Sequence, residues 1–208
     1  PLLSLVNIMP LSFGIGKSRG SEFDSAVFDC NYLQFYWWWT DGKDFDVRSE
    51  FLKPTALAGQ VVGTNKQPHI IDAGGSITYM KWGGDDAEST AGYEGIYIDV
   101  NAVKTLPGGI PDNIIELDMR GTWYAEIGQQ PVTVRASGYD GGTMTLERDT
   151  PNVPGYGFIN TGYAKSFTDF KSSVPVVVTS AGHSANNGQR LARVVIDLNT
   201  FTLTFFQN

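Results

Sequence analysis

Leu33-Gln34-Phe35-Tyr36-Trp37-Trp38-Trp39 is the stretch whose reading decides the fold. Side chains on an extended chain point alternately to opposite faces. Leu33, Phe35, Trp37 and Trp39 therefore share one apolar face, and Gln34, Tyr36 and Trp38 occupy the other. The period is two and not 3.6, so the segment is a strand. Three successive tryptophans cannot all enter one core from a strand with a single buried face. At least one ring, with Trp38 and Tyr36 the expected pair, must meet a second layer, a partner chain or a ligand. Tyr36, Trp37, Trp38, Trp39 and the more distant Trp82 are thus the candidate interface or ligand-stacking residues.

The same alternation recurs outward from this run. Ile96, Ile98 and Val100 alternate with Tyr97 and Asp99, and Val132 and Val134 alternate with Thr133 and Arg135. Tyr139-Asp140-Gly141-Gly142 reads as a hairpin turn into Thr143–Glu147, and Val176-Val177-Val178 as a buried strand. Near the end, Val194, Ile196 and Leu198 point one way, Asn199-Thr200 turns, and Phe201, Leu203 and Phe205 repeat the pattern. Helical signals are confined to one turn at Asn101–Lys104 and another at Tyr163–Phe170. Roughly eight to ten short strands of this kind predict an all-β chain: a single antiparallel β-sandwich, jelly-roll-like. Residues 31–208 form that domain, preceded by an irregular N-terminal arm over residues 1–30.

Composition narrows the function. The chain has 208 residues, with 15 Lys and Arg against 22 Asp and Glu, a net charge of −7. That balance excludes a broad nucleic-acid surface, which needs clustered basic side chains, and adhesion to anionic lipid. No run of about 18 apolar residues exists to span a membrane. The start, Pro1 to Pro10, lacks the basic region and small-residue cleavage site of a signal peptide. Cys30 is the only cysteine, which excludes an internal disulfide and a cysteine-based metal site. The expectation is a protein made in a reducing cytoplasm.

Several catalytic patterns fail on inspection. Gly16-Lys17-Ser18 has the end of a phosphate loop, but Leu11 stands where that loop needs glycine, and no helical pattern follows. His69 and His183 lie in loop-like sequence, and Ser180 and Ser184 beside His183 are ordinary loop composition. The expectation is a non-enzymatic protein with no catalytic residues.

The acidic segments are more informative. Asp41-Gly42-Lys43-Asp44-Phe45-Asp46 puts Asp44 and Asp46 two apart, hence on one face of a strand. Trp82-Gly83-Gly84-Asp85-Asp86-Ala87-Glu88 opens a glycine-rich acidic loop that runs on to Glu94. A hard cation takes about six to eight oxygens from carboxylates and loop carbonyls, and two such segments brought together would supply them. The plain alternative is a solvated turn and an Asx-capped loop. Paired acids also raise glycoside hydrolysis, with Asp44 and Asp85 beside Trp82.

Asp-x-Asp, then Gly-Asp, an Ala-Gly turn, and Glu followed by Ile-x-Ile-Asp-Val resembles the pattern of TerD-type calcium-binding β-sandwich proteins, over Asp41–Val100. The resemblance implies Ca2+ as cofactor, with Asp44, Asp46, Asp85 and Glu94 at the metal. The family's denser acidic run is reduced here to Gly92-Tyr93-Glu94. The wider organisation is similar to small β-rich structural and tail-associated accessory proteins of tailed bacteriophages, through Asp41–Arg48, Trp82–Asp85, Gly121–Tyr124 and Gly141–Met144. That resemblance implies a virion component, tail- or capsid-associated and without cofactor. Its partners would be further copies of itself and other virion proteins, with a host-surface glycan as a possible receptor.

Overall fold

The structure, a computed structural model, describes residues 22–27, 30–40, 42–85, 92–140, 145–148, 158–161, 165–170, 177–179, 181–182 and 188–207. The described residues hold fourteen strands, one short α-helix and a 3-10 turn at Pro111–Asn113. In chain order the first seven strands are β1 (Glu22–Val27), β2 (Tyr32–Trp39), β3 (Phe45–Lys53), β4 (Val61–Gly63), β5 (His69–Ile71), β6 (Thr78–Trp82) and β7 (Gly92–Asp99). Helix α1 (Val100–Lys104) follows, with Asp99 accepting a hydrogen bond from the Ala102 N–H at 2.7 Å as its cap. The remaining strands are β8 (Ile114–Trp123), β9 (Thr133–Asp140), β10 (Thr145–Arg148), β11 (Phe158–Thr161), β12 (Lys165–Phe170), β13 (Gln189–Asp197) and β14 (Thr202–Gln207).

Two six-stranded antiparallel sheets account for twelve of them. The first runs β1-β14-β13-β8-β3-β4 and the second β12-β9-β2-β7-β6-β5, while β10 and β11 pair with each other. Aromatic contacts show that the two large sheets face each other. Trp39 of the second sheet lies 5.6 Å from Phe45 of the first, and Phe35 lies 6.3 Å from Phe205, edge to face. Phe45 in turn meets Trp123 at 4.9 Å. Such ring pairs add about 0.5–1.5 kcal/mol beyond the area they bury. The core between the sheets is filled by the alternate residues of each strand: Leu33, Phe35, Trp37 and Trp39 on β2, Ile96 and Ile98 on β7, and Leu203 and Phe205 on β14. The all-β antiparallel sandwich expected from the periodicity is therefore present.

Two glycines are required by close packing. A Cβ on Gly121 would come within 2.3 Å of the Phe45 ring. Gly63 has φ of +123°, and a Cβ there would meet the Val47 carbonyl oxygen at 2.2 Å.

Four local expectations differ from the structure. Glu22–Val27, inside the stretch read as an arm, is β1 and pairs with β14. Lys165–Phe170 is a strand on β9 and not a helical turn, because its backbone partner is the free edge of β9. The turn expected to fold β9 back onto β10 does not join a hairpin: β9 takes β2 and β12 as neighbours, and β10 pairs with β11. Residues 177–179 form no strand. Val178 is buried, but the backbone there is held by side chains, the Trp123 indole N–H donating to the Val178 carbonyl and the Gln189 amide to that of Val177. Gly16–Ser18 and His183 lie outside the described residues.

Candidate functional site

Register places one set of loops at a single end of the sandwich. Trp39 is opposite Gly92, Trp38 opposite Thr133, and Phe45 opposite Trp123. The β2–β3, β6–β7 and β8–β9 connections therefore all emerge at this end. The β2–β3 loop is held from both sides. The Trp39 indole donates to the Lys43 carbonyl at 2.7 Å, the Tyr124 N–H donates to the Asp44 carbonyl at 3.0 Å, and Lys43 forms an ion pair with Glu126. That ammonium holds the exposed Glu126 carboxyl below its usual range. Across from it, the Gly83 N–H donates to the Gly95 carbonyl at 2.9 Å and Gly84 turns at φ of +111°, which delivers Asp85.

These anchors bring Asp44, Asp46 and Asp85 together, with one carboxylate oxygen of each lying within 4.8 Å of the others. Asp46 is buried in β3, Asp44 is partly buried and Asp85 is exposed. Three of the four acidic candidates thus share one place. Glu94 does not belong to that trio. It is in step with Ile96 and Ile98, so it enters the sandwich interior, where it is fully buried. There it accepts hydrogen bonds from the Trp82 indole at 3.2 Å and from the Val47 N–H at 3.4 Å. The correction follows from strand phase: an acid on the core face of β7 ties three strands together and does not project into the loop. Asp41, Asp86 and Glu88 are outside the described residues.

A residue that the sequence reading passed over lies beside this acidic group. Arg48 is completely buried, and its Nε donates to the Thr64 carbonyl at 2.9 Å. Its two terminal nitrogens have no hydrogen-bond partner. Burial pushes its pKa below the ordinary arginine value, and the charges of Asp46 and Glu94 act in the opposite sense. The sequence signal was the Asp46-x-Arg48 spacing, which places a cation on the face that carries the acid.

The aromatic candidates divide sharply. Trp37 and Trp39 are 0% and 1% exposed and belong wholly to the core, so neither is available to a partner. Trp82 is half-buried with its N–H turned inward to Glu94. Trp38 is 45% exposed. For Tyr36 only the backbone is described, in register with Gly95 and Arg135. Tyr124 and Ile127 are each also 45% exposed on the β8–β9 connection, and a shallow cleft of about 200 Å³ lies between that loop and Gly42-Lys43-Asp44.

The chain matches no family model, no curated protein and no solved structure. The chemistry of this end must therefore be read from its residues. An all-carboxylate donor set selects hard cations over zinc or copper, which favour imidazole and thiolate. Exposed aromatic and aliphatic side chains beside it offer apolar area to a protein or sugar surface.

Proposed function

We propose that this protein is a non-enzymatic binding and assembly module whose working surface is the loop end of the sandwich together with Trp38. The observation that carries the reading is the contrast within the tryptophan run: Trp38 is nearly half exposed between two neighbours that are wholly buried. A large ring left in water on a central strand contributes little to the monomer and much to a contact that covers it. In the setting implied by the phage resemblance, the covering surface is a second copy or another virion protein. Light scattering over a concentration series, on the wild type and on Trp38→Ser, tests this. Association that weakens in the variant supports it. A strict monomer in both, with no binding to co-expressed virion proteins, overturns it.

The convergence of Asp44, Asp46 and Asp85 favours a second reading, in which this end binds a hard divalent cation such as Ca2+. Loop carbonyls and water would complete the oxygen shell. Binding to the native state alone stabilises by mass action, about 2.7 kcal/mol at one hundred times Kd. A melting temperature unchanged by millimolar calcium after chelator treatment rejects this reading. A rise that persists in Asp85→Asn would place the cation elsewhere.

A further inference from the structure

Arg48 is held at one atom and left open at two. Its Nε donates to the Thr64 carbonyl at 2.9 Å, which ties it to the turn after β4. Its two terminal nitrogens have no hydrogen-bond partner, although the residue has no exposed surface. Across the ladder it faces Arg120 on β8, a like charge, and that arginine is already engaged by Asp118 and Glu50. A guanidinium buried in this way needs anionic charge close by. Asp46 supplies it. The two residues are one pleat apart on β3, so their side chains leave the same face of the strand from points about 7 Å apart. The charge of Asp46 acts to keep Arg48 protonated, and that of Glu94 adds to it.

Asp46 thus stands between two cationic positions. It is buried beside Arg48, and its carboxylate also converges with those of Asp44 and Asp85 within 4.8 Å. We propose that Arg48 and a divalent cation at the acidic trio compete for the Asp46 carboxylate, so that the arginine lowers the affinity of the site for Ca2+. The inference rests on the second reading above, in which the trio binds a hard cation. The affinity of a calcium site follows the charge of its ligands and the rigidity of the cage. A fixed guanidinium beside one of three carboxylates offsets part of their attraction for the ion, and unlike a solvent cation it cannot leave. With the site empty, the same charge relieves the mutual repulsion of the acids and lets them stay ionised side by side. Arg48 is then a resident counter-ion of the site, tuning it toward weak and reversible binding.

Isothermal titration calorimetry of the chelator-treated full chain with calcium chloride is the test, on the wild type and on Arg48→Met, Arg48→Gln and Arg48→Lys. Both neutral variants should bind calcium about tenfold more tightly, a change of about 1.4 kcal/mol. Arg48→Lys keeps the charge and should stay within about twofold of the wild type. A purely structural arginine predicts the opposite sign, because loosening the strand that carries Asp46 would weaken the site. The wild type gives a second readout that needs no variant: the Nε–H resonance of Arg48 should shift with calcium over the concentrations that shift the Asp85 amide. Neutral variants that bind no more tightly than the wild type, or an Nε–H resonance that stays fixed while Asp85 responds, overturn the inference and leave the cation reading intact. Absence of binding in the wild type and in every variant overturns both.

Discussion

Trp37 and Trp39 offer a controlled comparison, because they are the same residue on the same strand face with the same burial. They differ in what the indole N–H does. That of Trp39 donates to the Lys43 carbonyl at 2.7 Å, whereas that of Trp37 is buried without a hydrogen-bond partner. Replacing each by phenylalanine removes a similar volume from the same core, so the packing loss largely cancels between them. Trp39→Phe additionally loses a net hydrogen bond, about 0.5–1.5 kcal/mol, and Trp37→Phe recovers the desolvation penalty of an orphan donor, about 1–3 kcal/mol. Trp39→Phe should therefore be the less stable variant by about 1.5–4.5 kcal/mol. In a domain of this size each kcal/mol moves the midpoint by about 2–4 °C, so the two melting temperatures should differ by roughly 3–18 °C. Differential scanning calorimetry, with denaturant titration as a second measure, reads this directly. Trp38→Phe is the surface control and should stay within about 0.5 kcal/mol of wild type. Equal midpoints for the two core variants, or a lower one for Trp37→Phe, would refute the assignment of hydrogen bonding in this part of the core.

Other outcomes follow from the same structure. Asp118 is a fully buried carboxylate between Arg120, at 2.8 Å, and Arg190; Asp118→Ala leaves two guanidinium groups facing each other and should cost about 3–5 kcal/mol by chemical denaturation. Gly121→Ala forces a methyl into the Phe45 ring and should cost about 1–3 kcal/mol, with Phe45→Leu relieving part of it in the double variant. Asp72 accepts backbone hydrogen bonds from Ile77, Ser76 and Gly74, which hold its carboxyl below the ordinary value. The folded pKa is the lower one, so the stabilisation is complete above the unfolded value, about 3.9, and is lost as pH falls through the folded one. NMR should show those three amides losing exchange protection only below that range, and Asp72→Ala losing it at all pH values.

Strand phase explains both what the sequence made legible and what it hid. Leu33 to Trp39, Ile96 to Val100, Val194 to Ile196 and Leu203 to Phe205 each carry an alternation that side-chain sterics convert directly into an inner and an outer face, whereas Phe201, expected on the inner face, lies in the turn at φ of +53° and is exposed. The Asn199-Thr200 turn was readable for the same reason, and Asp197 accepts the Asn199 N–H there at 2.8 Å. The inward placement of Glu94 was also written in its phase with Ile96 and Ile98, but an acid amid acids was assigned to the loop by charge and not by period. Pairing between distant strands was not legible. Nothing local in Thr145–Arg148 says that it joins Phe158–Thr161 and leaves β9 to β12, since both choices satisfy the same backbone groups. Arg48 was missed because a buried cation depends on what three other strands and a turn place around it.

The pairing of β1 with β14 bears on how the chain reaches this state. Glu22–Val27 leaves the ribosome long before Thr202–Gln207, yet that strand is its only ladder neighbour among the described strands. The first sheet cannot acquire that edge until Thr202–Gln207 has left the ribosome. The central strand of the second sheet, β2, meets β7 and β9 much sooner. Synthesis at about 5–20 residues per second leaves a window of many seconds in which β1 is an open template. An early strand waiting for a late one is a hazard for misassembly between nascent chains. Slowing translation after β9 should worsen aggregation, and supplying the β14 segment as a free peptide during refolding should relieve it.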